Sequence, residues 1–205
     1  MTYRSTERTR QKKDAKRTAM MQAAVRVFAE KGYHSATVRD IVTAADVAVG
    51  TFYFYFPDKE TLFVYLYEET AGFLLLALKQ AIKGRATLPK KITAAVHAYV
   101  NIGVFEPAVV HLLLVGGVGA VPALLEQRDR FRKSLVELWQ EPLDEAMDKG
   151  LILPQNTRRS AEALSGAIDE VILHLLDRPD PQQDASETVE DLTNLLLRAV
   201  AFVGI

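Results

Sequence analysis

The residue types that carry out covalent or metal chemistry are few in this 205-residue chain and are badly spaced for it. The chain has no Cys, which excludes disulfides, thiolate zinc sites and a cysteine nucleophile. Its four histidines, His34, His97, His111 and His174, lack metal-ligand spacing, so we expect no metal and no cofactor. The sequence has no G-x-S-x-G, phosphate-loop or H-E-x-x-H motif, and a helical enzyme is therefore only a remote alternative.

Positive charge is concentrated at the N-terminal end of the chain. Residues 1–60 carry 11 Lys and Arg against 7 Asp and Glu, whereas residues 61–205 carry 14 against 19. Seven of the basic residues lie within residues 1–17, so a polyanion should meet this end first. We interpret residues 1–14 as a basic flexible arm that adds unspecific attraction for phosphates, with a solvated tail as the alternative.

Five consecutive aromatic residues, Phe52 to Phe56, cannot all be buried on one helix, because successive side chains turn by about 100°. Phe52 and Phe56 are four residues apart and form the natural core pair. Tyr53 and Tyr55 flank the boundary of the buried face. Phe54 lies nearly opposite, and both packing and contact with a thymine methyl group stay open for it.

The elements that must position these residues are all predicted to be helices. Apolar spacing and turn residues predict about nine, near residues 15–31, 38–44, 48–55, 59–83, 90–104, 107–115, 122–149, 157–177 and 187–203. No β-alternation exceeds four residues, so the predicted fold class is all-α. Gly32 should end the first helix, Asp58 should cap the fourth, and Pro142 should kink or break the seventh.

A long helix followed by two short helices with a tight turn between them is the arrangement of a helix-turn-helix, whose second short helix enters the major groove. Residues 37–60 read TVRDIVTAADVAVGTFYFYFPDKE. This run, within about residues 15–63, closely resembles the DNA-binding domain of TetR-family bacterial transcriptional repressors. The chain departs from the family pattern twice: Asp46 stands in the turn instead of Gly, and Ala48 replaces a small hydroxyl residue at the start of the recognition helix.

The resemblance implies DNA contacts at eight positions. Thr37 and the adjacent backbone N–H would bind a phosphate, Arg39 would pair with a guanine, and Lys59 matches a phosphate-contacting lysine. The other matched positions are Val49, Gly50, Thr51, Tyr53 and Tyr55. For Arg39 the alternative is a surface arginine paired with a neighbour such as Asp40, and for the tyrosines it is packing against the first helix.

Residues 15–62 are expected to form the helix-turn-helix domain and residues 63–205 a larger helical domain for ligand binding and dimerisation. The helices near 157–177 and 187–203 are apolar over more than one stripe, which one neighbour cannot cover. We therefore expect a homodimer through these helices, as the resemblance also implies, with burial inside one chain as the alternative. A dimer would bind double-stranded DNA at an inverted-repeat operator.

The middle segment, residues 90–145, is rich in Ala, Val, Leu and Gly, with larger groups scattered through it. Such a segment suits an apolar small-molecule effector, acyl or aromatic, although ordinary core packing is the alternative. The candidate contacts are His97, Tyr99, Phe105, His111 and Trp139. The helix that begins at Lys59 would connect the DNA with the pocket, so that a ligand releases the repressor from its operator. A ligand-independent or activating DNA-binding protein is the alternative function.

The sequence predicts a cytoplasmic protein without a membrane partner. The basic N-terminal segment is not followed by a continuous apolar stretch, so it does not resemble a secretory signal. Residues 107–125 carry no Asp, Glu, Lys or Arg and approach the length of a membrane span. Three glycines and two prolines in this stretch favour two short buried helices with a break between them.

Overall fold

The computed structural model describes residues 7–116, 119 and 121–203. Within these ranges the chain forms nine α-helices and no strand longer than one antiparallel bridge between Ile152 and Phe202. The helices are α1 (Glu7–Ser35), α2 (Val38–Ala44), α3 (Val49–Tyr55), α4 (Lys59–Ile82), α5 (Leu88–Phe105), α6 (Pro107–His111), α7 (Leu124–Asp148), α8 (Thr157–Leu176) and α9 (Pro181–Ala199). The predicted all-α fold is confirmed.

The first helix, α1, begins earlier than predicted. It starts at Glu7 rather than near residue 15, so the described part of the predicted flexible arm is helical, and residues 1–6 lie outside the described ranges. The sequence ERTRQKKDAK at its start consists mostly of strong helix formers, which favour a helix in spite of the net positive charge. Near the other end, Gly32 has a φ of 72° and a ψ of 161°, and this conformation breaks the helix where the sequence predicted.

The last helix, α9, begins at Pro181, six residues before the predicted start, and ends at Ala199. Pro181 lies in the first turn of the helix, where an N–H would have no intrahelical acceptor. Asp180 caps this turn, since its carboxylate accepts a hydrogen bond from the Gln183 N–H at 3.1 Å. Pro181 is therefore part of a helix start.

The seventh helix, α7, runs through Pro142 as one continuous helix, so of the predicted kink or break at this residue the break does not occur. A proline removes one hydrogen bond of the helix and crowds the preceding turn. Trp139 before it, and Leu143 and Ala146 after it, are all buried. Packing of these residues stabilises the helix on both sides of the proline.

The uncharged stretch at residues 107–125 does not form one long helix. The five-residue helix α6 is followed by a π-helical turn, Leu112–Gly116, and α7 begins only at Leu124. Among the described helices, α4 is long and apolar enough to cross a membrane, and 44% of its most apolar window is buried, as in a core helix. α5 and the segment Pro107–Gly116 pass the same test only when joined across a 104° bend.

The contacts within the chain divide it into two compact units. The head unit comprises Met1–Glu69 and His111–Leu125, and the larger unit comprises Thr70–Val110 and Glu126–Ile205. The boundary falls inside α4, somewhat after the predicted one between residues 62 and 63. The inclusion of residues 111–125 in the head unit was not indicated by the sequence.

An aromatic cluster organises the head unit. Phe28 of α1 meets Phe63 of α4 edge-on with ring centroids 4.7 Å apart, and the Tyr33 ring lies 4.7 Å from the same Phe63 ring. Phe52 of α3 and Ile41 of α2 are fully buried. Each short helix is thereby anchored by an apolar side chain to the rest of the head unit.

In the larger unit, α5 contacts both α8 and α9, and α8 contacts α9. Gly103 permits a close approach of α5 to α8, because an added Cβ would lie 3.2 Å from Cγ2 of Ile172. The large apolar residues of α8 and α9 are mostly buried within the unit, among them Leu164, Ile168, Leu175, Leu192 and Leu196. Much of the apolar excess that the sequence indicated on these helices is therefore covered inside one chain.

Candidate nucleic-acid interface

The short helix α2 begins with a capping box formed by Thr37 and Asp40. The Thr37 hydroxyl accepts a hydrogen bond from the Asp40 N–H at 3.1 Å and donates one to Asp40 Oδ2 at 2.8 Å, and the Thr37 N–H donates to the same oxygen at 2.9 Å. The hydrogen bond from Lys31 Nζ, at 2.8 Å, and those from Thr37 lower the pKa of Asp40 to about 2. Both donors of Thr37 are thus engaged in the cap, whereas the resemblance assigned them to a phosphate.

The turn between α2 and α3 tolerates the two departures from the family pattern. Asp46 has a φ of 51°, in the left-handed region where Gly is usual and Asp is accepted. Ala48 stands at the N-cap of α3 and makes no side-chain capping bond. Backbone bonds close the turn instead, from the Val47 N–H to the Val42 carbonyl at 3.0 Å and from the Thr51 N–H to the Ala48 carbonyl at 2.8 Å.

The recognition helix α3 divides the aromatic run between the core and the surface. Phe52 is fully buried and Phe56 is 5% exposed, which confirms the predicted core pair. Tyr53 and Phe54 are 57% and 65% exposed, and Tyr55 is half-buried. Phe54, for which the sequence left two roles open, therefore presents most of its ring to the outside.

Five exposed residues of α2 and α3 form what we call the reading surface, namely Arg39, Val49, Gly50, Tyr53 and Phe54. Arg39 makes no ion pair with the described residues, because its neighbour Asp40 pairs with Lys31 at 2.8 Å. The alternative of an Arg39–Asp40 pair is thereby not realised. The guanidinium stays available to an external acceptor.

The middle of α3 carries the remaining predicted contacts. Thr51 and Tyr55 are half-buried at the edge of the reading surface. A Cβ added to Gly50 would meet no atom within 4 Å, so packing inside the protein does not require glycine there. The open space beside Gly50 is consistent with a backbone that must approach another molecule closely.

Lys59 is held inside the head unit. Its Nζ donates to the carbonyls of Tyr33 at 2.7 Å, Ala36 at 2.9 Å and His34 at 3.5 Å, and lies 4.3 Å from the centroid of the Tyr33 ring. These carbonyls lie at the end of α1 and just beyond it, where unpaired backbone oxygens favour a cation. The resemblance assigned Lys59 to a DNA phosphate, but in this structure its ammonium group joins the start of α4 to the end of α1.

Two of the five candidate ligand contacts are buried in the larger unit. Trp139 is 3% exposed and lines a pocket. Tyr99 is fully buried, and its hydroxyl donates to Asp169 Oδ1 at 2.8 Å. Burial raises the pKa of Asp169 to about 6, although the hydrogen bond from Tyr99 and the charge of Arg132 act in the opposite direction.

The other three candidates lie elsewhere. His97 is exposed and has a ring nitrogen 3.2 Å from Asn101 Nδ2 on the same helix, and Phe105 is 67% exposed. His111 belongs to the segment that joins the head unit. The structure therefore does not bring the five residues together. In the part of the chain that the structure describes, no group of three His, Cys, Asp or Glu residues could hold a metal ion.

Two family models match this sequence. The model described as bacterial regulatory proteins, tetR family, matches residues 20–66, and the model described as tetracyclin repressor-like, C-terminal domain, matches residues 90–199, more than half of the chain. This chain belongs to the TetR family. It is therefore a helix-turn-helix transcriptional regulator, and α2 and α3 are its DNA-binding motif.

Several relatives of this TetR-family chain are regulators of fatty-acid metabolism. The fatty acid metabolism regulator protein of Bacillus subtilis (strain 168) is 28% identical over 157 residues, which cover 75% of this chain and 79% of that protein. The fatty acid degradation regulator FadR from Bacillus halodurans is 26% identical, with a TM-score of 0.77 over 88% of this chain and 97% of that one. FadR from Bacillus subtilis, solved in complex with stearoyl-CoA, shares the fold at 24% identity, with a TM-score of 0.74 over 86% and 97% of the two chains.

Proposed function

We propose that this protein is a homodimeric repressor in the bacterial cytoplasm, which binds an inverted-repeat operator and leaves it when an apolar, acyl-type effector binds the larger unit. The observation that carries the DNA-binding half is the capped α2–turn–α3 motif with its exposed reading surface. The effector half is supported by the relatives named for fatty-acid regulation.

The reading surface supplies groups of the kinds that read bases in the major groove. Arg39 has the bidentate donors that fit guanine, and the exposed ring of Phe54 fits a thymine methyl group. The remaining contacts fall to Val49, Gly50, Thr51, Tyr53 and Tyr55, through side chains and closely approaching backbone. Thr37 and Lys59 take part by holding α2 and the start of α4 in position, because their donors are bonded inside the head unit.

Dimerisation through α8 and α9 is supported by the residues that these helices leave uncovered. On one face of α8 the small residues Ala163, Gly166 and Ala167 are exposed or half-buried and are followed by the exposed Glu170, and a Cβ added to Gly166 would meet no atom within 4 Å. Leu195 of α9 is 46% exposed. Small residues let two helices approach closely, and an apolar residue beside them gives the contact its stabilisation. A dimer would present two α3 helices to two half-sites.

Release by an effector would act through a change in the spacing of the two α3 helices. Helix α4 begins in the head unit at Lys59 and ends in the larger unit at Ile82, so one helix runs from one unit into the other. An effector that binds more tightly to the dimer with the wrong spacing shifts the population away from DNA. Couplings of this kind are typically about 1–3 kcal/mol, or roughly 5- to 150-fold in affinity.

The test begins with selection of operator fragments from genomic DNA, followed by fluorescence anisotropy with the purified protein. We expect an inverted repeat to bind more tightly than either half-site, and an acyl effector to weaken that binding. Arg39→Ala should lower the operator affinity by about 1–3 kcal/mol and relax the preference at one base pair. Arg85→Ala, an exposed arginine in the larger unit, is the matched control and should bind as the parent does.

Different results would contradict the DNA-binding half and the effector half of the proposal. Equal affinity of the parent for operator and random DNA contradicts the reading surface, and a monomer at the concentrations used contradicts the dimer. Operator binding that no acyl compound changes indicates the ligand-independent alternative. A reporter gene whose expression falls when the protein is removed indicates an activator rather than a repressor.

A further inference from the structure

The recognition helix α3 is short and has no side-chain cap at its start. It comprises only Val49–Tyr55, and Ala48 at its N-cap makes no side-chain hydrogen bond. Helices of this length gain little stability from their own backbone bonds, so packing against the rest of the protein must hold them. The direction in which α3 points therefore depends on the contacts at its other end.

At that other end, the residue that follows α3 packs against α4. The ring of Phe56 lies with its centroid 5.8 Å from that of Tyr65 and 6.1 Å from that of Phe52, the buried residue of α3. Phe56 is buried, and its backbone N–H donates to the Phe52 carbonyl at 2.9 Å. Tyr65 thus contacts the residue that ends the recognition helix.

The same ring of Tyr65 also meets a cation from α1. The guanidinium carbon of Arg17 lies 4.8 Å from the centroid of the Tyr65 ring, which is a cation–π distance. Both side chains are half-buried, and partial removal from water strengthens this attraction. Tyr65 therefore connects the first helix of the head unit with the end of α3.

We propose that Tyr65, held in place by Arg17, is a positioning residue for α3 and thereby sets how well the protein distinguishes its operator from other DNA. This inference rests on the proposed reading of bases by α3. Hydrogen bonds to base edges require donor–acceptor distances of about 2.7–3.2 Å, whereas the attraction between basic residues and phosphates has no such narrow limit. A displaced α3 should therefore bind the operator more weakly and random DNA almost as before.

The test compares the affinities for operator and random DNA by fluorescence anisotropy, with urea unfolding of every variant. Tyr65→Ala and Tyr65→Leu both remove the aromatic face. Each should lower operator affinity about tenfold and random-DNA affinity less than about twofold. Tyr65→Phe keeps the ring that makes both contacts and should bind as the parent does. Phe73→Ala, which removes an exposed ring from the same helix, is the matched control and should change neither affinity.

Arg17→Met tests the second contact of Tyr65, because it keeps an apolar stem and removes the cation. Operator affinity should fall about threefold, and its dependence on salt should not change. Combining Arg17→Met with Tyr65→Leu should lower operator affinity no further than Tyr65→Leu alone, since either change removes the same contact. Additive losses, or a decrease of about 0.9 in the logarithmic salt slope of Arg17→Met, would overturn the role of Arg17.

Failure of this assignment is distinguishable from failure of the proposed function. If folded Tyr65 variants bind the operator as tightly as the parent, or lose affinity for operator and random DNA equally, the positioning role is overturned while α3 remains the reader. If Tyr65→Ala does not fold, Tyr65→Leu and Arg17→Met decide. If the parent itself does not prefer the operator, the proposed reading surface is contradicted, and this inference with it.

Discussion

The two units of this protein differ in how some of their polar side chains are hydrogen-bonded. In the head unit, Lys59 meets three carbonyls and Asp40 meets both Lys31 and Thr37. In the larger unit, by contrast, three buried side-chain atoms of the described residues lack a hydrogen-bond partner: Gln127 Oε1, Trp139 Nε1 and Thr193 Oγ1. The bonds in the head unit join the end of α1 to the starts of α2 and α4. A buried polar group without such a bond costs stability.

One carboxylate in each unit has a shifted pKa, and the two shifts have opposite signs. Hydrogen bonds from Lys31 and Thr37 lower the pKa of Asp40 to about 2, whereas burial raises the pKa of Asp169 to about 6. Ionisation of Asp40 therefore favours the folded head unit. Ionisation of Asp169 opposes folding of the larger unit, so the two groups give stability opposite dependences on pH.

Removal of packing from the head unit should have the largest effect. Phe52→Ala deletes a fully buried ring and should cost about 3–5 kcal/mol, with loss of DNA binding. Phe54→Ala, two residues away and 65% exposed in the parent, should cost less than about 1 kcal/mol but still weaken operator binding. Urea unfolding and fluorescence anisotropy on the same samples measure the two effects. Equal destabilisation by both variants would contradict the division of α3 into a core side and a reading side.

In the larger unit, Asp169→Asn should stabilise the protein at high pH. The folded protein retains the Asp169 proton up to about pH 6, while the unfolded chain releases it near pH 3.8, so the parent loses stability as the pH rises through this window. The asparagine variant avoids that loss and still accepts the Tyr99 bond, and its gain should approach about 3 kcal/mol at pH 8. Urea unfolding at a series of pH values measures the gain.

The matched control for Asp169 is a carboxylate of the head unit with the opposite sign. Asp40→Asn should lower stability at neutral pH, because the parent gains from an ionised Asp40 at any pH above its ordinary value of 3.8. That difference should disappear as the pH falls toward 2. A gain for Asp169→Asn that does not depend on pH would mean that ionisation is not its cause.

Lys59→Met tests whether this lysine completes the head unit or contacts DNA. Loss of the bonds to the carbonyls of Tyr33 and Ala36 should reduce stability by about 1–3 kcal/mol. Operator affinity should fall without a change in its dependence on salt, because no phosphate contact is lost. Lys79→Met, an exposed lysine on the same helix, should leave both properties unchanged. A decrease of about 0.9 in the logarithmic salt slope would assign Lys59 to a phosphate instead.

The smallest expected effect distinguishes the reading surface from an ordinary helix face. Gly50→Ala and Gly72→Ala both have room for a Cβ, and each should stabilise its helix by up to about 1 kcal/mol. Only Gly50→Ala should weaken operator binding, since the added methyl group would separate the α3 backbone from DNA. Thermal unfolding and anisotropy compare the two variants. Undiminished affinity of Gly50→Ala would exclude a close backbone approach at this position.

The parts of the fold that were predictable depend on signals between near neighbours in sequence. Thr37 caps α2 by accepting a hydrogen bond from the N–H of Asp40, three residues later. Asp58 caps α4 by accepting from the Thr61 N–H at 2.7 Å, and Gly32 breaks α1 through its own backbone angles. The early start of α9 was missed because Pro181 is compatible with both a loop and a first helical turn. Whether such a proline lies in a loop or in a first helical turn depends on how the residues after it pack against the rest of the protein. The local sequence pattern does not show that packing.

The site residues divide in the same way. Burial of Phe52 follows from helical spacing and was predicted, whereas Tyr53, which was predicted at the boundary of the buried face, is 57% exposed. The partners of Lys59 lie 23 to 26 residues earlier in the chain, and no local pattern pointed to them. Trp139 was a candidate by residue type alone, and its relation to Lys91 depends on how α5 and α7 meet.

The amino-acid sequence by itself determined the helical class, the reading motif and the family, because caps, turns and the 3.6-residue period act over a few residues. Only the tertiary structure decided which polar groups are already bonded and which await a partner. That outcome depends on contacts between residues far apart in sequence, as for Lys59 with the end of α1 and Tyr99 with Asp169. The type of a side chain fixes how many hydrogen bonds it can donate and accept, but its neighbours in space decide how many of those bonds are already formed.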